Sequence, residues 1–427
     1  MAMKASEALQ SAAEPFEDGR GVADLAARFA DRRVICLGES THGTSEFYRM
    51  RAAITERLVR DHGFTVVAAE ADWPDAAAYD AIIRRGVEHV TPERPFTRFP
   101  RWMWRNLETW DMLRNLRDLN AERLGPARAG FYGLDVYSLC ASIDAVVEYL
   151  RGEHPDIAEE ARALYGCLKP YCGDPGMYLR KQLGAEYDSC QERVAQVLTN
   201  LLQRRVQDGH GLFDAEQNAH VVVDAERYYR SMYYATASSW NLRDRHMADT
   251  LDRVLEHRGP QAKAVVWAHN SHVGDARETE MGWRRGELNI GQLVRERYGE
   301  AAALIGFATG TGTVAAADDW HGEMEVKQVN PPIQGSIEAA ADASGLPRFL
   351  LDISRLGLEA RTALNDPLPQ RAIGVIYRPG SERAAHYFEA RMARQFDAWV
   401  WVAETEAVHA RHAHPAEGED DLVPFGL

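Results

Sequence analysis

The stretch RRVICLGESTHGTSEFYRMR, residues 32–51, reads as a strand, then a turn, then a helix. Val34–Leu37 are apolar without alternation, the pattern of a strand covered on both faces. Beyond the turn, Phe47, Met50, Ile54 and Leu58 fall on one face of a helix over 45–62, and His62-Gly63 supplies its stop. Glu39, Ser40 and His42 therefore sit on the turn itself, where the backbone is most accessible to a ligand.

Working outward, short apolar runs at 33–38, 65–70, 130–135, 264–269, 304–309, 349–354 and 373–377 read as strands. Most are apolar throughout, and helical patterns separate the first of them. This predicts an α/β fold with a mostly parallel central sheet flanked by helices. From 138 to 258 the rhythm breaks into a long, strand-poor, helix-rich segment, read as a large helical insertion. The expected organisation is 1–137 as the first part of the α/β core, 138–258 as the insertion, 259–408 as the second part of the core, and 409–427 as a polar tail.

Bulk properties narrow the function classes. The formal net charge is −15, with acidic and basic residues interspersed. Nucleic acid is excluded as a partner, because binding a polyanion needs a basic footprint that releases counterions. No apolar run reaches the roughly 18 residues of a membrane span, and residues 1–20 lack the apolar core of a signal peptide. The expectation is a cytoplasmic protein with no membrane partner; the sequence sets no oligomeric state. Five cysteines (Cys36, Cys140, Cys167, Cys172 and Cys190) with no C-x-x-C pair suggest neither a disulfide framework nor a thiolate zinc site.

In open parallel sheets, ligands bind beyond the carboxyl ends of the strands. Glu39 and His42 follow the first strand, Glu70 closes the second, Asp135 ends the third, and His269 ends the fourth with His272 one turn on. Single carboxylates at strand ends are usually caps or ion-pair partners, whereas four consecutive strands delivering ionisable groups to one edge point to an active site. The turn resembles a nucleophile elbow, yet Ser40 lacks the G-x-S-x-G context, and Cys36 lies inside the strand. Water is then the expected nucleophile. A neutral His42, flanked by Glu39 and Glu70, can take its proton, while Arg51 pairs with the carboxylates or stabilises charge on a substrate oxygen.

These residues carry a resemblance. The stretches LGESTHGTSEFYRMR, VVAAEADWPDA, TRFPRWMWRN, GFYGLDVYS, NLRDRHMADT and VVWAHNSHVGDAR, together with SERAAHYFEARMARQFDAWVWVAET, span residues 33–405. Their order and spacing resemble the erythromycin esterase family, in its succinoglycan-biosynthesis-related branch. The resemblance implies an α/β core with a helical insertion, hydrolysis of a small-molecule ester or lactone, and an active-site set of Glu39, His42, Arg51, Glu70, His269 and His272. His42 takes the role of the base. Family members that confer resistance open macrolide lactones, which makes macrolide inactivation one candidate activity. Trp102, Met103, Trp104, Trp110, Tyr233, Tyr234 and Trp240 could wall a large apolar substrate cleft, of which Trp102, Trp104, Tyr233 and Tyr234 are the substrate-binding candidates; core packing is the alternative for each.

No cofactor is expected. Two glutamates with two or three histidines would also suit a divalent zinc or manganese ion, but no H-E-x-x-H pair is present. Distant relatives in the wider superfamily keep two alternatives open, a metal-dependent amide or peptide hydrolase and a non-catalytic haem-binding protein.

Overall fold

A computed structural model describes residues 3–86, 95–172, 190–208, 212–232 and 237–411. Its strands are β1 (Ala13–Pro15), β2 (Val34–Leu37), β3 (Val66–Asp72), β4 (Gly130–Asp135), β5 (Ala264–Trp267), β6 (Ala302–Ala316), β7 (Glu325–Val329), β8 (Arg348–Asp352), β9 (Leu368–Arg371), β10 (Tyr387–Ala390) and β11 (Ala398–Thr405). The main sheet runs in the order β1-β8-β11-β6-β2-β5-β3-β4, with β7 hairpinned onto the long β6. From β11 to β4 every neighbouring pair is parallel; β1, β8 and β7 add antiparallel edges. β9 and β10 form a separate antiparallel ribbon.

The continuous apolar runs are explained by two covered faces. In β2, Ile35 and Leu37 join one core while Val34 and Cys36 join the other, and β5 divides likewise into Val265 and Trp267 against Ala264 and Val266. Among the helices, α1 (Ala5–Ala12) covers the second face; α2 (Gly19–Ala26), α3 (Ser45–His62), α4 (Trp73–Arg85) and α5 (Leu107–Ala121) cover the first. The face of α3 expected from its spacing, Phe47, Met50, Ile54 and Leu58, is buried, and Gly63 ends the helix at φ 73°.

Between β4 and β5 the described residues form α6 (Leu139–Glu153), α7 (Pro155–Tyr165), α8 (Gln191–Asp208), α9 (Phe213–Met232) and α10 (Ala237–Arg258). Ile143, Val146, Leu150, Tyr165, Val194, Val222 and Tyr229 give this helical segment a core of its own. Its last helix, α10, crosses back to the sheet, burying Met247, Leu251 and Val254 in the second core. A short helix, α11 (Asn270–Val273), and then α12 (Ile290–Tyr298) follow β5. Among the described residues, no helix is long and apolar enough to cross a membrane.

Two expectations are corrected. Residues 373–377 form no strand: Ile373 and Ile376 make only isolated bridges, to Thr41 and Ala317, because their backbone groups pair with the turns at the end of β2 and β6. The cysteine reading also fails. Cys140 pairs with Cys172 and Cys167 with Cys190, at Cα separations of 5.7 and 5.9 Å, all four within the helical segment; Cys36 alone is free and buried. Sequence spacing carries no trace of these pairs, which helix packing brings within disulfide reach. Most of the polar tail read at 409–427 lies outside the described residues.

Candidate active site

The turn after β2 is compressed against its neighbours. A Cβ on Gly38 would collide with the Asn270 side chain, and one on Gly43 with the Ala315 backbone, so only glycine allows this approach. Three segments then hold the turn by its backbone. Ile373 bonds the Ser40 carbonyl (2.8 Å) and the His42 N–H (3.3 Å), Ala315 N donates to the Gly43 carbonyl (3.1 Å), and Val408 N donates to the same carbonyl (2.9 Å). The backbone of the turn that carries His42 is thereby held from three sides.

Glu39 organises the side chains on this turn. Its Oε1 lies 3.0 Å from His42 Nδ1, and its Oε2 accepts from Arg51 Nη2 at 2.5 Å. A carboxylate paired with a guanidinium can only accept, so His42 donates through Nδ1 and its lone pair is at Nε2. His42 Nε2 has no hydrogen-bond partner among the described residues. Arg51, one turn and more into α3, is fully buried, with its guanidinium carbon 4.7 Å from the Tyr48 ring and 4.6 Å from the Trp267 ring. Those two faces provide cation–π support for a charge removed from water.

A second polar cluster abuts the first. Glu70 Oε2 accepts from the backbone N–H of His269 (2.9 Å), and its Oε1 accepts from Arg243 Nη2 (2.6 Å). Arg243, on α10, also grips Asp135 through Nε (2.9 Å) and Nη2 (2.7 Å), while Tyr137 covers its guanidinium at 4.6 Å. His272 is held by Asp244, whose Oδ1 and Oδ2 lie 2.9 and 3.1 Å from Nδ1, and its ring stacks on Trp240 with centroids 4.5 Å apart. Its Nε2 lies between Arg243 Nη1 (3.0 Å) and Glu70 Oε1 (3.3 Å). The two clusters meet where the His42 and His269 rings approach to 4.8 Å.

The electrostatics separate the histidines. Burial pushes His269 well below its ordinary value and outweighs the opposing pull of Glu70, so it stays neutral. Its Nδ1 accepts from Ser271 N (3.2 Å), which leaves the proton on Nε2. Burial also lowers His272, but Asp244 and Glu70 outweigh it and raise the group to about 9. Burial alone would raise Glu70; His272 and Arg243 instead hold it well below the usual carboxylate range. The site therefore sets a histidine acceptor (His42 Nε2) beside a neutral histidine donor (His269 Nε2) and His272, whose charged form Asp244 and Glu70 favour and Arg243 opposes, backed by two guanidiniums.

The structure gathers all six expected residues, Glu39, His42, Arg51, Glu70, His269 and His272, at the carboxyl ends of β2, β5 and β3. It divides them differently from the sequence reading: Glu70 hydrogen-bonds Arg243 and the His269 backbone, not the His42 imidazole. Arg243, Asp244 and Asp135 complete the cluster, and the first two were not singled out by sequence reasoning. The available signal was a charged pair, Arg243-Asp244, on the buried face of α10. Trp102, Met103 and Trp104 are buried in the core below the site. Trp104 donates from Nε1 to the Glu70 carbonyl (3.3 Å) and packs on Tyr48 and Phe131. Trp110 is partly buried at the edge of that core. Tyr233 and Tyr234 lie outside the described residues. Among the described residues, no group of three or more His, Cys, Asp or Glu is arranged to hold a metal ion.

With this geometry in view, comparison with known proteins places the chain. The sequence profile described as erythromycin esterase matches residues 59–405. The chain is 21% identical over 401 residues to the Bacillus subtilis (strain 168) protein named "Putative hydrolase YbfO", covering 87% of this chain and 83% of that one. It is also 21% identical over 349 residues to "Erythromycin esterase type II" of Escherichia coli, covering 74% and 79%. A crystal structure of a succinoglycan biosynthesis protein shares the fold at TM-score 0.80 and 22% identity, over 95% of this chain and 98% of the other. A mutant of the erythromycin esterase EreC in its open conformation matches at TM-score 0.64 and 16% identity, over 90% and 93%. The chain belongs to the erythromycin esterase family, as its residues 33–405 suggest in sequence.

Proposed function

From membership of the erythromycin esterase family and from the geometry of the site, we propose that this protein hydrolyses an ester or lactone with water as the nucleophile and His42 as general base. The observation that carries the reading is the Arg51–Glu39–His42 chain, with contacts of 2.5 and 3.0 Å, which fixes the imidazole with its lone pair at Nε2. His42 Nε2 takes a proton from water as the water oxygen bonds to the carbonyl carbon, and Glu39 stabilises the imidazolium at Nδ1. Charge developing on the carbonyl oxygen is met by the His269 Nε2–H, which has no hydrogen-bond partner among the described residues, and by the field of the buried Arg51 guanidinium behind Glu39. When the C–O bond breaks, the imidazolium returns its proton to the leaving alkoxide.

Every carboxylate here already faces a cation: Glu39 faces Arg51, while Glu70 and Asp135 face Arg243. The reading accordingly routes no step through a metal. Macrolide lactones are a substrate candidate, consistent with the family and with the name of the Escherichia coli relative.

The test is hydrolysis in H₂¹⁸O of aryl esters and of erythromycin, followed by mass spectrometry. One labelled oxygen should enter the acid product, and for a lactone the product should be heavier by one water. His42→Ala should lower kcat by roughly 10²–10⁴-fold while the protein stays folded. Turnover of His42→Ala within a few-fold of wild type would refute the assignment. Cleavage of aryl esters without opening of erythromycin would retain the hydrolase and discard the macrolide.

A further inference from the structure

A buried carboxylate outside the catalytic cluster ties three segments together behind the His42 turn. Glu108 lies in the first turn of α5, and its side chain is 2% exposed. Its Oε1 accepts from Ser45 Oγ at 2.6 Å, and Ser45 opens α3 three residues after His42. The same carboxylate accepts from His409, through the backbone N–H at 3.2 Å and the ring Nδ1 at 2.7 Å. Arg49 Nη2 lies 3.7 Å from Glu108 Oε1.

His409 belongs to a strap, residues 406–411, that runs from the end of β11 across both loops. Ser45 N donates to Glu406 O (2.8 Å) and Val408 N to Gly43 O (2.9 Å), while Leu107 N donates to His409 O (3.0 Å) and Arg411 N to Arg105 O (2.9 Å). Ala407 N is held by Thr313 Oγ1 on β6 at 2.9 Å. The Thr44 side chain makes no capping bond to α3; at this helix start the strap takes up the Ser45 N–H and Glu108 the Ser45 hydroxyl. Burying a carboxylate is costly unless its oxygens are met. Here burial alone would raise Glu108, and the His409 and Ser45 hydrogen bonds bring it below its ordinary value.

We infer that Glu108 is a positioning residue: with Ser45 on one side and His409 of the strap on the other, it latches the turn that carries His42 in its working position. The inference rests on the hydrolase reading above for its kinetic consequence, but the latch itself is a statement about the turn. His409 is about half exposed, so its removal leaves no buried void.

The experiment uses the full chain carrying Ser45→Ala, His409→Ala, His409→Gln or His42→Ala, with amide hydrogen exchange of the peptide spanning 40–48 and steady-state kinetics on an aryl ester at 20 °C. Ser45→Ala and His409→Ala should speed exchange of that peptide about tenfold, leave the β3 and β5 peptides unchanged, and lower kcat by roughly 10- to 100-fold at nearly constant KM, the scale of a misplaced catalytic group. His409→Gln, which keeps a side-chain donor, should regain most of both. Unchanged exchange at 40–48, or faster exchange with kcat within twofold of wild type, overturns the inference. A merely structural role would lower the melting temperature and leave kcat at 20 °C intact, which also overturns it. Should His42→Ala keep its turnover, the hydrolase reading falls, and the exchange data still decide whether the latch exists.

Discussion

Replacing Glu39 by glutamine isolates the buried charge pair on which the site is built. Glu39 and Arg51 side chains are 3% and 1% exposed and meet at 2.5 Å. The Glu39→Gln change keeps the size of the side chain but leaves the Arg51 guanidinium without its anion. Nε and Nη1 of Arg51 already lack hydrogen-bond partners among the described residues, so only the Tyr48 and Trp267 rings remain to offset the charge. Removing one partner of a buried pair costs about 3–5 kcal/mol. For a chain of 427 residues the unfolding entropy is roughly 0.9 kcal/mol per kelvin, so the melting temperature should fall by about 3–6 °C. Arg51→Met should cost a similar amount by stranding Glu39. The double variant Glu39→Gln/Arg51→Met removes both charges together and should recover to within about 1–2 kcal/mol of the parent. Differential scanning calorimetry on the four proteins measures the coupling, and activity supplies the contrast: stability returns in the double variant while turnover does not. Equal melting of Glu39→Gln and parent, or additive losses in the double variant, would refute the pairing argument.

Other outcomes follow from the same geometry. His272 is raised from 6.5 to about 9 by Asp244 and Glu70 against the opposing effect of burial. The stabilisation is therefore complete below pH 6.5 and lost as pH rises through 9, a change of about 3 kcal/mol. Melting curves from pH 6 to 10 should show this decline in the parent and a much flatter profile in Asp244→Asn; parallel profiles would count against the imidazolium. Arg243→Met should strand Glu70 and Asp135 together, lowering stability by at least ~3 kcal/mol and abolishing turnover, whereas a folded, active variant would remove Arg243 from the site. Gly43→Ala should prevent the turn from seating against the Ala315 backbone, and a crystal structure with an unmoved His42 would contradict this. Prolonged EDTA treatment should leave ester turnover unchanged; loss of activity restored by zinc or manganese would reassign the carboxylates to a metal.

How far the sequence reaches depends on the range of the forces it encodes. Strand, turn and helix over residues 32–63 were legible because each follows from local periodicity and a glycine stop, and the parallel sheet followed from apolar runs that only a doubly covered strand tolerates. That Glu39, His42, Glu70 and His269 share one edge is a consequence of parallel strands alone. β11 carries the same continuous apolar signal at Ala398–Val402, although it is absent from the strands inferred above, whereas 373–377 carries that signal without being a strand. The difference is tertiary, since the Ile373 backbone is claimed by Ser40 and His42. Partner choice inside the site was likewise beyond local reading. Arg243 reaches Asp135 across 108 residues and Glu70 across 173, and His409 reaches Glu108 across 301. No periodicity records such distances in sequence. The disulfides obey the same rule, because they depend on where helices of the insertion pack. Sequence alone determined which chemical groups arrive at the sheet edge and that Glu39 flanks His42; only the packed chain, by deciding which charge is buried against which, assigned Glu70 to Arg243.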